Sequence, residues 1–258
     1  MRQALHAEWT KLRTVASTGW LLVGCITLTV ALSAAVCAAM THSAGDGIRD
    51  ITKISLTGVV LGQAIVASLA VLAVTSEYSS GMIRITLAAT PRRSRVVAAK
   101  AVMVSAVTFA AGTIAVLGSL LAGKLIMPGN GFTVANGYMP LSLADGPTLR
   151  AAVGSVLYLV FVALLSLGVA TVVRDSAIAV AAVLGLLYLF PILEAFFTDP
   201  DWQRRVRQIG PMSAGLAIQS TTDLRSLPLA PWTGLGVLAG WAAGALFVGG
   251  LVLKLRDA

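Results

Sequence analysis

One stretch of the sequence has the residue types and spacing of a nucleotide-binding loop. Gly118–Lys124 reads GSLLAGK and fits the pattern GxxxxGK. Leu125 stands where such a loop needs a serine or threonine to meet magnesium, and the match ends an apolar run instead of joining a strand to a helix. We therefore interpret the match as chance, and Lys124 as a residue that extends its charge outward from the end of a membrane span.

The residues that could carry catalysis or hold a metal are few. His6 and His42 both lie outside the apolar runs, which argues against haem ligation between helices and against a serine–histidine pair within the membrane. Cys25 and Cys37 lie in one apolar run, where a helix would separate them by about 18 Å, beyond disulfide reach. No metal-site spacing surrounds them. We therefore predict a protein that is not an enzyme, with no catalytic residue, metal or cofactor on this chain.

Composition defines the class of protein. The 258 residues are 57% hydrophobic and only 12% charged, whereas a soluble domain has about 25% charged residues. The net charge of +8 comes from basic residues at the ends of apolar runs, not from a basic face on a soluble domain, which argues against nucleic-acid binding. We predict an all-α, polytopic membrane protein in which residues 1–258 form a single transmembrane domain in contact with membrane lipids.

Six apolar runs of about 20 residues match the ~30 Å hydrocarbon core of a bilayer. They predict six spans, at about 19–40, 54–76, 101–123, 151–173, 176–193 and 232–253. Within these boundaries no span contains Asp, Glu, Lys, Arg or His, and Glu194 falls just beyond span 5. Proton- and ion-coupled transporters generally need such groups at depth, so this class is disfavoured.

The distribution of basic residues predicts that both termini are cytoplasmic, because the inner segments then carry more of them in fewer positions. Residues 194–231 would form an extracellular loop, and its mildly apolar part, Ile209–Ile218, is a candidate for re-entry into the membrane surface. Residues 1–18 have the pattern of an interfacial amphipathic helix; the alternative is a solvated positive region that only orients span 1. The residues that define this helix are Leu5, Trp9, Lys11, Leu12 and Arg13.

A long, strongly charged interruption, residues 77–100, lies between spans 2 and 3. It holds one acid, Glu77, and five basic residues, with a semi-apolar piece at Met82–Ala89. We interpret it as a cytoplasmic surface for a soluble partner; the alternative is an ordinary basic loop, and its alternating pattern fits a strand as well as a helix. The predicted docking residues are Glu77, Tyr78, Gly81, Met82, Ile83, Arg84, Ile85 and Leu87.

Glycines repeat at GxxxG spacing in two spans. Gly58 and Gly62 form one unit at span 2, and Gly236, Gly240 and Gly244 form two overlapping units in span 6. Such faces allow helix backbones to approach closely in lipid. We favour packing within one subunit for span 6, and the alternative is an interface between subunits.

Short motifs along the whole chain resemble those of ABC-2 type transporter permeases, especially actinobacterial ones. The motifs are EWTKLRT at Glu8–Thr14, EYSSGMIR at Glu77–Arg84, Thr86-Leu87 with Pro91–Arg93, and the terminal Arg256–Ala258. The resemblance implies a multi-pass subunit of a bacterial plasma membrane that pairs with an identical copy or a homologous permease. It also implies two cytoplasmic ATP-binding cassette ATPases as partners, which would hold the ATP and magnesium.

In such exporters the segment between spans 2 and 3 forms a coupling helix in a groove of the ATPase, which would place Glu77–Thr90 there. The N-terminal amphipathic helix would lie on the inner membrane surface, and the loop after span 5 would form the outer gate. Substrate would pass between the two permeases, along faces of spans 2 and 5. Apolar walls suggest a hydrophobic or amphipathic compound, such as an antibiotic, drug, peptide or lipid-like molecule.

Two other functions are weighed against this expectation. A secondary transporter or channel would need a coupling group at depth and would work without an ATPase. A structural or signalling membrane protein would use the basic loop as a scaffold, with no nucleotide-linked change in its spans.

Overall fold

The computed structural model describes residues 10, 16–42, 48–79, 81 and 93–256. These residues form helices, turns and loops without any strand. The α-helices, numbered here in chain order, are α1 (Ala16–Ala39), α2 (Ile51–Ser55), α3 (Val59–Ser79), α4 (Arg93–Ile126), α5 (Gly146–Val173), α6 (Ser176–Phe196), α7 (Pro200–Ile209), α8 (Pro211–Leu216) and α9 (Pro231–Arg256). Short 3₁₀ turns occur at Met127–Asn130, Val134–Asn136 and Ala217–Gln219.

Six helices of the described chain, α1, α3, α4, α5, α6 and α9, are long and apolar enough to cross a membrane. They correspond to predicted spans 1 to 6 in order, so the all-α class and the number of candidate spans are confirmed. Large apolar side chains such as Trp20, Phe109 and Phe247 point outward and are more than half exposed, as expected of surfaces that meet lipid instead of water.

Helix α5 is the centre of the bundle. In its most apolar 18 residues 67% are buried, compared with 56% in α3 and between 17% and 33% in the other four candidate spans. It packs against α3, α4, α6 and α9, whereas α1 packs against α3 and α4 at one side. The largest fully buried side chain, Tyr158, lies in the middle of α5.

The helix ends extend beyond the apolar runs that predicted them. Glu77 lies within α3, Lys100 within α4 and Glu194 within α6. These helices are therefore longer than the predicted spans, and the three charged residues lie in the turns just beyond the predicted boundaries. The reason is physical: each apolar run was ended at its first charge, but a helix continues through a charge that has a partner. Predicted loop 77–100 is likewise helical at both ends, over 77–79 and 93–100.

Predicted span 2 is interrupted near its start. Asp50 caps the short helix α2 by accepting a hydrogen bond from the Lys53 amide at 3.0 Å. The chain then turns at 56–58 before α3 begins, and the Gly58 amide donates to Ser33 Oγ of α1 at 3.0 Å. A Cβ atom on Gly58 would collide with the Thr29 carbonyl, so only glycine permits this approach.

The long connection after α6 is a helical hairpin inserted among the membrane helices. α7 runs back along the end of α6, where Arg207 pairs with Glu194 at 2.5 Å. Trp241 Nε1 donates to the Ile209 carbonyl at 3.0 Å, and Trp241 lies about 15 Å along α9 from its first residue. α8 then returns through the interior with Met212 and other side chains buried. Most of the part proposed for re-entry, Ile209–Ile218, is therefore packed inside the protein, whereas Ile209 itself is exposed.

The chain that follows this hairpin is bonded to loop residues at the ends of the helices opposite the 77–100 segment. Asp50 accepts hydrogen bonds from Thr221 Oγ1 at 2.8 Å and from the Thr222 amide at 3.1 Å. Arg150 donates to the Ser220 carbonyl at 2.5 Å. The end of the hairpin is thus fixed to both the α1–α3 connection and the start of α5.

Gly168 provides a close contact between α5 and α9. A Cβ atom there would lie 2.5 Å from the Ala245 carbonyl carbon and 2.6 Å from the Leu246 nitrogen. We expect Gly168→Ala to force the two helices apart and to lower the free energy of unfolding by about 1–3 kcal/mol. The measurement is thermal unfolding of the purified protein in detergent micelles.

Gly185→Ala in α6 is the matched control, because a Cβ atom there would meet nothing within 4 Å. It should leave stability unchanged or raise it slightly, since alanine favours a helix over glycine. Equal stability of the two variants would contradict the close contact.

Candidate functional site

A buried ion pair joins α3 and α4 where the predicted docking segment leaves and rejoins the membrane helices. Lys100 Nζ lies 2.7 Å from Glu77 Oε1, and the two side chains are only 4% and 6% exposed. The same ammonium donates to the Ala73 carbonyl at 3.2 Å, one turn back along α3. Charge-assisted hydrogen bonds of this kind are strong. The pair is stable only with both members present, because removal of one would leave the other charge buried without its counter-ion.

The position of Glu77 explains why it needs this partner. It lies in the last turn of α3, where the negative end of the helix dipole disfavours a carboxylate. Lys100 supplies the opposite charge from the second turn of α4. The two residues come together because the helices on either side of the docking segment pack against each other, not because they are close in sequence.

The turn between α5 and α6 also contacts this part of α3, through Arg174. Arg174 ends α5 in the left-handed conformation, with φ 64°, and its amide donates to the Ala170 carbonyl at 3.0 Å. Its guanidinium carbon lies 5.2 Å from the centre of the Tyr78 ring, a cation–π contact. We refer to Glu77, Tyr78, Lys100 and Arg174 as the base cluster. It connects α3, α4 and the α5–α6 turn.

Only three of the eight predicted docking residues are among the described residues. Glu77 and Tyr78 lie in the base cluster, and Gly81 follows the end of α3 at φ 69°, with its amide donating to the Tyr78 carbonyl at 3.2 Å. The other predicted docking residues lie outside the described residues: Met82, Ile83, Arg84, Ile85 and Leu87. So do all five residues of the predicted interfacial helix: Leu5, Trp9, Lys11, Leu12 and Arg13.

A polar cluster at the centre of the bundle was not predicted. Gln63 of α3 is fully buried and accepts a hydrogen bond from the Tyr158 hydroxyl of α5. Its amide nitrogen lies 3.2 Å from Met212 Sδ of α8, and Tyr188 of α6 donates to the Val60 carbonyl of α3 at 2.7 Å. We call Gln63, Tyr158, Tyr188 and Met212 the central cluster.

The sequence contained a weak signal for both clusters. Gln63 is an amide within an apolar run, and such a residue must find a partner inside the protein because lipid offers none. Lys100 and Arg174 each adjoin an apolar run, where basic residues at span ends are ordinary. Their contacts with Glu77 and Tyr78 depend on which helices are neighbours, and the sequence pattern does not give that.

The predicted glycine faces have different surroundings. At Gly62, as at Gly58, a Cβ atom would collide with Thr29 of α1, so this unit packs within the chain. At Gly236, Gly240 and Gly244 a Cβ atom would meet nothing within 4 Å among the described residues. Among the described residues, α9 therefore packs against α5 through other residues, and this glycine face stays open.

Gly240 and Gly244 instead line an apolar groove of about 730 Å³ between α5, α6 and α9. Trp241 and Val248 of α9 and Val169 of α5 contribute to its walls. Gln208 and Ile209, at the end of α7, complete it. Cavities of this size accept molecules of several hundred daltons or a comparable length of hydrocarbon.

Metal chemistry and known relatives give no further assignment. Across the described ranges, no three His, Cys, Asp or Glu side chains come together as they would around a metal ion. No protein-family model matches the chain, and no curated protein matches it. Function is therefore inferred from the base cluster, the central cluster and the sequence motifs.

The base cluster predicts strong coupling between its two charges. We expect Glu77→Gln or Lys100→Met alone to cost about 3–5 kcal/mol of stability, because each leaves the other charge buried and uncompensated. The double variant should be more stable than either single variant, since it removes both charges together. Thermal unfolding of the four proteins in detergent micelles measures this double-mutant cycle.

Lys124→Met is the control, because Lys124 lies on the same helix but is exposed. Its stability should differ little from that of the parent protein. Additive losses in the double variant would show that the two charges do not interact as the structure indicates.

Proposed function

We propose that the chain is the transmembrane permease subunit of an ABC-2 type ATP-binding cassette transporter. It would work with a second permease, identical or homologous, and with two cytoplasmic ATPases that hydrolyse ATP. Six candidate membrane helices and the motifs at Glu8–Thr14 and Glu77–Arg84 support this class. The chain itself would supply the path and the moving helices, not the hydrolysis.

The observation that carries the proposal is the buried ion pair between Glu77 and Lys100. The two residues bracket the segment that we assign to the ATPase surface, and the pair ties together the helices from which that segment emerges. A displacement of the segment would therefore be transmitted to α3 and α4 as a unit. The contact between Tyr78 and Arg174 would carry it to the α5–α6 turn.

The central cluster would transmit this displacement from the end of α3 to the middle of the bundle. Gln63 lies 14 residues before Glu77, or about 21 Å along the same helix. Through Tyr158 and Met212 it holds both α5 and the inserted hairpin. Movement of α3 relative to α5 would have to break or shift these bonds, which favours two discrete arrangements over continuous deformation. We propose that ATP binding by the partner selects between them.

The transported compound in this proposal is hydrophobic or amphipathic, and its path lies between two permeases of a bacterial plasma membrane. The apolar composition of the candidate spans supports this substrate class. In the inside-positive orientation, the base cluster faces the cytoplasm and the hairpin of α7 and α8 faces outward.

One observation favours a secondary transporter as a second candidate. Glu77 and Lys100 form a buried charge pair within helices, and such pairs can serve as ion or proton sites. Against this, Glu77 lies in the last turn of α3 and not at mid-helix, and Lys100 is already bound to both Glu77 and the Ala73 carbonyl. The position suits a mechanical link better than an ion pathway.

Affinity purification in mild detergent, followed by mass spectrometry, tests the proposal. We expect a stoichiometric soluble ATPase to accompany the chain. Arg84→Glu, or Ile83→Ala combined with Ile85→Ala, should reduce its recovery severalfold or more while membrane insertion is unchanged. Reversing a contact charge and removing apolar anchors both weaken an interface.

Arg225→Glu is the matched control, since Arg225 is exposed in the loop that follows the hairpin, away from the base cluster. It should leave ATPase recovery unchanged. Unaltered recovery with the Arg84 and Ile83/Ile85 variants would exclude the docking segment. A chain that purifies alone and still transports in ATP-depleted vesicles would support the secondary transporter.

A further inference from the structure

The groove between α5, α6 and α9 has an apolar interior. Its walls include Val169 and Val173 of α5, Leu186 of α6 and Val248 of α9. Gly240 and Gly244 keep the α9 side open, because neither carries a side chain and a Cβ atom would meet nothing within 4 Å. From Trp241 to Val248 the groove follows α9 for about 10 Å. Its shape and chemistry suit a hydrocarbon chain.

Where the groove borders α7, basic side chains lie nearby. Gln208 and Ile209 of α7 line it, and Arg204 and Arg205 lie four residues earlier, on the same faces of α7 and about 6 Å away along its axis. Both arginine side chains are exposed. Two exposed cations therefore lie about one helical turn from the α7 residues that line the groove.

The surroundings of these arginines resemble a membrane–water boundary. Trp202 stacks on Phe197, with ring centres 6.1 Å apart, and Arg205 lies over Trp202 at 5.6 Å. Aromatic side chains of this kind are typical of the level of lipid headgroups. The third arginine of α7, Arg207, is paired with Glu194. Two further acids, Asp199 and Asp201, lie at the start of α7.

We propose that the groove and α7 form a binding site for an anionic phospholipid. One acyl chain lies in the groove, and the phosphate and headgroup bind Arg204 and Arg205. Guanidinium groups bind phosphate oxygens through charge-assisted, often bidentate, hydrogen bonds. The site is separate from the base cluster and does not depend on the proposed function.

Charge distinguishes this occupant from a second copy of the chain. A symmetric dimer uses the same patch on both subunits, so an interface centred on the groove would bring the exposed arginines of two α7 helices toward each other. Like charges at an interface oppose association. An anionic headgroup instead supplies the complementary charge and the apolar chain together.

Lipid binding by the purified full-length protein, measured by native mass spectrometry, tests the site. The probes are phosphatidylglycerol and phosphatidylcholine with identical acyl chains. The parent protein should retain phosphatidylglycerol preferentially. Arg204→Gln combined with Arg205→Gln should weaken phosphatidylglycerol binding about tenfold and remove the preference, because the charged contacts are lost. The preference of the parent protein should also decrease with added salt.

Gly244→Leu should lower the binding of both lipids by filling the groove, and Gly236→Leu is its control. Gly236 also has open space around it but does not line the groove. Arg225→Gln controls for the loss of a surface cation elsewhere. Thermal unfolding of each variant separates lost binding from lost folding, and the arginine variants remain informative if Gly244→Leu fails to fold.

Three results would overturn the proposal. Equal binding of the two lipids by the parent protein would exclude headgroup recognition. Unchanged phosphatidylglycerol binding in the arginine double variant would exclude α7 as the headgroup site. Dissociation of a dimer by Gly244→Leu, with lipid binding unaltered, would show that the groove is an interface between copies.

Discussion

Within lipid, a polar group that lacks water must find its partner inside the protein, and this constraint bears on two irregular features of the fold. The chain breaks between α2 and α3, and there the Gly58 amide donates to Ser33. The hairpin of α7 and α8 ends at Thr221 and Thr222, and there Asp50 accepts their hydrogen bonds. The interruptions are tolerated because other helices or loops supply the bonds that water would otherwise supply.

The same constraint makes α5 the element on which the two clusters depend. Lipid supplies no hydrophobic driving force between helices, so close packing and hydrogen bonds must hold them together. α5 supplies both kinds of contact: Tyr158 bonds to Gln63 of α3, Ser155 accepts from Gln219 of the hairpin at 3.1 Å, and Gly168 admits the backbone of α9. α5 ends at Val173, and the next residue, Arg174, belongs to the base cluster. A shift of α5 would therefore displace residues of both clusters.

The sequence predicted the class and number of spans because apolar length is a local property. It did not predict where the helices end, because the extension of α3 through Glu77 depends on Lys100, which is 23 residues away in sequence. The central cluster has the same origin, since the partner of Gln63 lies 95 residues further along the chain. Local pattern identified the candidate docking segment, whereas the contacts that would transmit its movement required the arrangement of neighbouring helices.

Helix α9 shows that a repeat of small residues does not determine which face of a helix packs against its neighbours. Gly236, Gly240 and Gly244 repeat every four residues, and so do Gly234, Leu238 and Ala242.

A shift of two residues rotates a position by about 200° around a helix, so the two sets lie on nearly opposite faces. The structure buries Leu238 and Ala242 in the bundle and packs Gly234 against the Ala214 carbonyl, while the GxxxG face remains open. Small size allows close approach on either face, but the partner that is present decides which face uses it. Here α5 and α8 occupy one face, and the other borders the groove, where the absence of side chains leaves room for a flexible hydrocarbon chain beside the cationic end of α7.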